Sequence, residues 1–143
     1  MAEDKKQGKD LISALDEVFQ KLPRLPKSAT DVLVNIAPWL ALVFGILGVI
    51  GGLSAIGISP LALFGGVNAS FVVLATGVAA IVSSVLMLMA FPKLKKRAYK
   101  GWELLFWSEV ISAISAVLSI SVGSVFGVLI GFYLLFQIKS YYK

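Results

Sequence analysis

FPKLKKRAYKGWELLFWSE, Phe91 to Glu109, closes one long apolar run and opens the next. Five cations, Lys93, Lys95, Lys96, Arg97 and Lys100, sit between the two runs, and Trp102 follows them. Cations and an aromatic ring at the edge of an apolar run are what a headgroup boundary selects. These six residues are therefore expected to anchor the topology and contact lipid headgroups.

Upstream, Val32 to Pro92 is 61 residues without Asp, Glu, Lys or Arg. The whole chain of 143 residues is 58% hydrophobic and 15% charged, where a soluble domain carries about 25% charged residues. A water-soluble chain of this length cannot hide so much apolar surface in its core. The sequence predicts an all-α polytopic membrane protein with four transmembrane helices. Span one is expected over 31–53, span two over 68–91, span three over 102–120 and span four over 123–138. Ser54 to Gly66, uncharged and carrying Pro60, reads as an apolar turn, and Pro92 is expected to close span two. The turn at Ser121 to Ser124 is so short that spans three and four must run antiparallel. The four spans thus form two antiparallel hairpins.

Before them, Leu11, Ile12, Leu15, Val18, Phe19 and Leu22 recur on one helical face. This predicts an N-terminal amphipathic helix over 10–22, with Asp10 as its cap and Met1 to Gly8 fraying. A helix of about 20 Å is marginal alone in water, so it is expected in the lipid interface or under the bundle, with partner binding as the sharper alternative. Pro23 ends it. Ser28 and Asp31 resemble a capping box at the next helix start. The chain thus divides into a segment 1–27 and a four-helix domain 28–143.

Orientation follows from charge. Lys21, Arg24 and Lys27 precede span one, the five-cation loop follows span two, and Lys139 and Lys143 follow span four. Four spans put these segments on one side, which the positive-inside rule makes cytoplasmic. The expected location is the inner or plasma membrane, with both termini inside. No cleavable signal peptide is expected, since the first long apolar run is too long for a signal h-region.

The chain has no Cys and no His. Thiolate chemistry is excluded, and the commonest metal ligand and general base is missing. No phosphate loop, zinc motif or nucleophile elbow occurs. No enzyme activity, metal or cofactor is expected, and no nucleic-acid partner, because the cations flank apolar runs and line no soluble face.

Three features remain. Glu109 lies seven residues beyond Trp102, about 10 Å deeper by helix rise. A charged carboxylate there costs about 2.5–3.5 kcal/mol, so it is expected to be a hydrogen-bonded or snorkelling residue, or else a proton or cation site. Ser108, Ser112, Ser115 and Ser119 share one face of span three. Packing is the first reading of that stripe, and a narrow polar path the second. Gly48 and Gly52, and the repeat Gly123, Gly127 and Gly131, predict close helix contact, within the chain or between copies.

KGWELLFW at Lys100 to Trp107 and FYLLFQIKSYYK at Phe132 to Lys143, with the basic loop before them, resemble the end of a family of small, uncharacterised four-span membrane proteins known mostly from uncultured prokaryotes. The resemblance covers about the C-terminal third. It implies a four-span fold and no activity. Small multidrug transporters also have four spans and a membrane carboxylate, but theirs lies in the first span, whereas Glu109 is in the third.

The leading expectation is a non-enzymatic structural, interaction or accessory protein whose partners are the lipid bilayer and a second copy or another membrane protein. The alternative is a small channel or transporter using Glu109. Membrane remodelling by the N-terminal helix is a third idea.

Overall fold

The computed structural model describes residues 2–143. Its α-helices are α1 (Ala2–Gln20), α2 (Lys27–Ile58), α3 (Val67–Lys95), α4 (Tyr99–Ser119) and α5 (Val122–Ile138), with short 3-10 helices at Leu61–Gly65 and Lys139–Tyr141. No strand occurs among the described residues. Lys27–Ile58, Val67–Lys95, Tyr99–Ser119 and Val122–Tyr141 are each long and apolar enough to cross a membrane, as expected of a multi-pass membrane protein. Only helices and closed barrels satisfy every backbone group in hydrocarbon, and these runs choose the helix.

α2 has 32 residues, about 48 Å by helix rise, against a hydrocarbon thickness of about 30 Å. It overshoots the predicted span at both ends. No capping box forms at Ser28. The helix starts at Lys27 behind Pro26 without a side-chain cap, and the Pro26 carbonyl accepts from the Thr30 amide and hydroxyl, both at 3.1 Å. Proline at that position already fixes a non-helical entry, so the start falls one residue before Ser28.

α2 and α3 are pressed together by glycine. A Cβ at Gly52 would fall 2.8 Å from the Gly77 carbonyl oxygen, and one at Gly45 would fall 2.9 Å from Leu88 Cγ. Gly48 faces the Ser84 side chain in the same seam. The Gly48–Gly52 pair therefore packs within the chain. Beyond Ile58 the chain turns through Ser59 and Pro60 and re-enters at Gly66, whose φ of 105° favours glycine.

Pro92 does not close α3. The helix runs three residues further, to Lys95. Proline removes one amide donor, and packing keeps the next residues helical: Ala90 and Leu94 are almost fully buried. The end is a Schellman closure. The Arg97 amide donates to Leu94 O and the Ala98 amide to Lys93 O, each at 3.0 Å. Arg97 holds the left-handed position with φ 53°, a strain of order 1–2 kcal/mol for a non-glycine residue. Its guanidinium Nη2 donates to Asn35 Oδ1 at 3.0 Å.

The core sits in the half of the bundle next to the basic loop. Trp102 and Phe106 of α4 are fully buried against Phe132 and Phe136 of α5. At the other end, beside the turn that joins α4 to α5, an apolar pocket of about 330 Å³ is bordered by Val117, Ile120 and Phe126. The short turn makes them antiparallel, but α4 packs more extensively along α3 than along α5.

α1 belongs to the same core. Residues 2–8, expected to fray, are helical, Asp10 lies inside the helix instead of capping it, and Met1 lies outside the described residues. Ile12 is buried, Leu15 and Phe19 pack on the cluster around Trp102, and Gly8 faces the Trp107 ring. Leu11, Val18 and Leu22, from the same predicted face, remain exposed. The apolar face is thus split between the bundle and its surroundings.

Candidate functional site

Glu109 lies on the side of α4 that meets α5. A Cβ built at Gly131 would fall 2.8 Å from Glu109 Cδ and closer still to Oε1. Gly131 therefore provides the space for the carboxylate. Glu109 makes no side-chain hydrogen bond among the described residues, and their one ion pair, Lys139 to Asp16, is elsewhere. The hydrogen bond expected of Glu109 is thus not formed among the described residues.

The other two glycines of that repeat behave differently. Nothing lies within 4 Å of a Cβ at Gly123 or Gly127. Only Gly131 packs inside the chain. Gly123 and Gly127 both lie on an exposed face of α5, whereas Ser124 and Val128 of the same half turn toward α3 and α4.

The serine stripe turns to α3. Ser108 is fully buried and its hydroxyl has no partner. Ser112 donates to the Ser108 carbonyl at 3.0 Å, and Ser119 to that of Ser115 at 2.8 Å. Ser112, Ser115 and Ser119 border a groove of about 360 Å³ opposite Thr76, Ser83 and Ser84 of α3, and Ser124 of α5 joins them. The α3 hydroxyls also donate to carbonyls of their own helix. Their lone pairs are left as acceptors, so the groove offers oxygens to a hydrogen-bond donor or cation. The polar counterpart of the α4 stripe is therefore on α3, where Thr76, Ala80 and Ser83 share a face. Glu109 does not border the groove. It meets Gly131 one helical turn from Ser112 and Val128, which do.

The basic loop divides. Lys95, Lys96, Arg97 and Lys100 are exposed and Lys93 is half-buried. Lys95 Nζ stands 5.1 Å from the Trp39 ring and 5.3 Å from Phe91, and Trp39 is itself 54% exposed. Trp102 does not share this setting. It is fully buried and its Nε1 donates to the Leu135 carbonyl at 2.8 Å. Its surroundings are protein, unlike those of Trp39, so the structure gives Trp102 a core setting and not the headgroup contact expected of it.

A second network was not anticipated. The Pro23 carbonyl, in the linker between α1 and α2, accepts from the Tyr133 hydroxyl and from Gln137 Nε2. Gln137 Oε1 in turn accepts from the Leu25 amide at 3.3 Å. Lys139 pairs with Asp16 at 2.8 Å. The tail closes on the basic loop, with the Tyr99 amide donating to Lys143 O at 2.9 Å and the Lys143 amide to Arg97 O at 3.2 Å. Gln137 is the one amide side chain in the apolar run of α5, which is the signal that marks it.

No family model, curated protein or solved structure matches the chain.

Proposed function

We propose that the protein is a non-enzymatic membrane component that acts by association, with a second copy of itself as first partner. The observation that carries this reading is the free glycine face of α5. Gly123 and Gly127 are four residues apart on one helix face and meet nothing in the chain. Small residues at that spacing let two helix backbones approach closely in lipid, where dispersion and not the hydrophobic effect drives pairing. Gly51 and Gly57 are also open, but six residues apart they do not share a face. The basic end faces the cytoplasm of the inner or plasma membrane, with residues 2–27 and 139–143 on that side, by the positive-inside rule. Mass measurement in lipid nanodiscs tests the association. A dimer or larger assembly is expected for the natural chain, and monomer for Gly127→Leu. A natural chain that is monomeric throughout and recovers no partner on crosslinking would refute the proposal.

A second reading is favoured by the hydroxyl-lined groove. Three helices contribute oxygens to it, and Glu109 lies one turn away, as a small cation or proton pathway requires. On that reading Glu109→Gln abolishes flux in proteoliposomes. Unchanged flux would dismiss it.

A further inference from the structure

The two hairpins differ in apolar length. α3 and α4 are antiparallel, and their register is set at both ends. A Cβ at Gly101 would fall 2.8 Å from the Leu94 amide nitrogen, and Ser119 borders the same groove as Thr76. Lys93 and Lys95, just past Phe91, mark the near headgroup boundary. From Phe91 to Val67, α3 runs about 36 Å by helix rise. Leu104 stands opposite Phe91 in this register, and from there α4 runs only about 23 Å to Ser119. A hydrocarbon core is about 30 Å thick. The α2–α3 hairpin is too long for it and the α4–α5 hairpin too short. Tilting would fit the first and shorten the second further, because α4 packs along α3.

The surplus of the long hairpin is apolar. No charged residue occurs from Ile58 to Phe71, and Phe64, Val67 and Phe71 are exposed. The Ser70 hydroxyl donates to the Ser59 carbonyl at 2.7 Å and that of Ser59 to the Ile56 carbonyl at 2.8 Å. With its hydroxyls spent inside, this tip belongs in hydrocarbon.

The turn of the short hairpin is polar and uncovered. Ser119, Ile120, Val122, Gly123 and Ser124 are all exposed. No side chain caps the start of α5, so the amides of Val122, Gly123 and Ser124 have no acceptor by helix geometry. Hydrocarbon does not tolerate such a turn unless protein or water satisfies it. Ser119 and Ser124 also form the near side of the hydroxyl-lined groove, which is therefore wetted through the same opening.

We infer that the far leaflet is thinned over the α4–α5 hairpin, with lipid headgroups and their water descending to Ser119–Ser124 and into the mouth of the groove. The far surface is then stepped by about 13 Å, the helix rise from Thr76 to Val67. A hydrophobic stretch shorter than the bilayer commonly thins it. The inference depends on neither self-association nor flux.

Single-cysteine labelling of the full chain in open membrane sheets tests this, using a charged, membrane-impermeant methanethiosulfonate. Leu74 is the depth control. It stands two residues beyond Thr76, as Ser121 stands two beyond Ser119, and it is exposed on a side of α3 turned away from the groove. The thiol reacts as its thiolate, which hydrocarbon disfavours. Ser119→Cys and Ser121→Cys are therefore expected to react about tenfold or more faster than Leu74→Cys, with all three labelling fully in SDS. The same rates are expected in a Gly127→Leu background. No reaction at Ser119→Cys and Ser121→Cys in either background would overturn the inference. So would reaction in the Gly127→Leu background alone, which would mean that a second copy covers the turn. Equal rates at Leu74→Cys would also overturn it, since the far boundary would then be flat.

Discussion

Glu109 occupies the space that a side chain at Gly131 would fill: a Cβ there would stand 2.8 Å from its Cδ. A carboxylate on α4 and a missing side chain on α5 are thus one packing unit. Gly131→Ala is expected to destabilise the fold by about 1–3 kcal/mol, the usual cost of overpacking. In a Glu109→Ala background the same change should cost little, with a coupling of about 0.5–3 kcal/mol. Reversible unfolding of the four proteins in mixed micelles measures it. Additive effects would mean that the two residues do not share the space.

Trp102 is expected to behave as a core residue and Trp39 as a boundary residue. With the other tryptophans replaced by Phe, Trp102 fluorescence should resist both acrylamide and brominated lipid, because the ring is fully buried. Trp39, 54% exposed, should be quenched by brominated lipid. Trp102→Ala should cost about 3–5 kcal/mol, in the range of large aromatic truncations. Equal quenching of the two rings would contradict this placement.

The docking of α1 rests on apolar contact more than on charge. Phe19 stacks on Phe136 at 5.2 Å and lies 6.3 Å from Phe132. Asp16 and Lys139 keep 23% and 25% of their side-chain surface exposed, and ion pairs with that much water contribute about 1 kcal/mol or less. Phe19 is partly buried, so Phe19→Ala should weaken α1 docking by about 1–3 kcal/mol, and Asp16→Asn by about 1 kcal/mol or less. Amide exchange of residues 8–20 measures both. A larger loss for Asp16→Asn would reverse the ranking.

Burial raises the Tyr142 phenol above the ordinary value of 10.0, against a smaller opposing effect of Arg97. The sign follows from linkage. Below pH 10 the phenol is neutral in both folded and unfolded chains, so its contribution is fully present. As pH rises from 10.0 to the folded value, the unfolded chain releases its proton first and stability falls. Tyr142→Phe should leave stability at neutral pH equal or slightly higher, since an unpartnered hydroxyl is removed, and should make the alkaline loss shallower. Thermal unfolding from about pH 8 to about pH 11 checks this. Superimposable profiles would refute it.

The all-helical four-span fold was legible because it depends on long apolar runs and little else. The helix ends were less so. Pro92 and Ser28 carry strong local signals, yet burial of Leu94 and the entry geometry of Pro26 overrode them. The roles of Trp102 and of Gly123, Gly127 and Gly131 depend on which faces of α4 and α5 meet other helices, which no spacing along one helix reports. The serine stripe was visible on α4, but nothing along the chain pairs it with Thr76, Ser83 and Ser84 of α3. Their meeting is a tertiary fact. The contacts of Tyr133 and Gln137 with the linker join residues more than a hundred positions apart, beyond the reach of local pattern.

Self-association through α5 is tested most directly by single-cysteine crosslinking in native membranes, since the natural chain has no cysteine. Gly127→Cys puts a thiol on the open face of α5, and Gly51→Cys puts one on the equally open outer side of α2. The expected result is a covalent dimer from Gly127→Cys under mild oxidation and none from Gly51→Cys. No dimer from Gly127→Cys, or equal yields from the two sites, would contradict pairing through the glycine face.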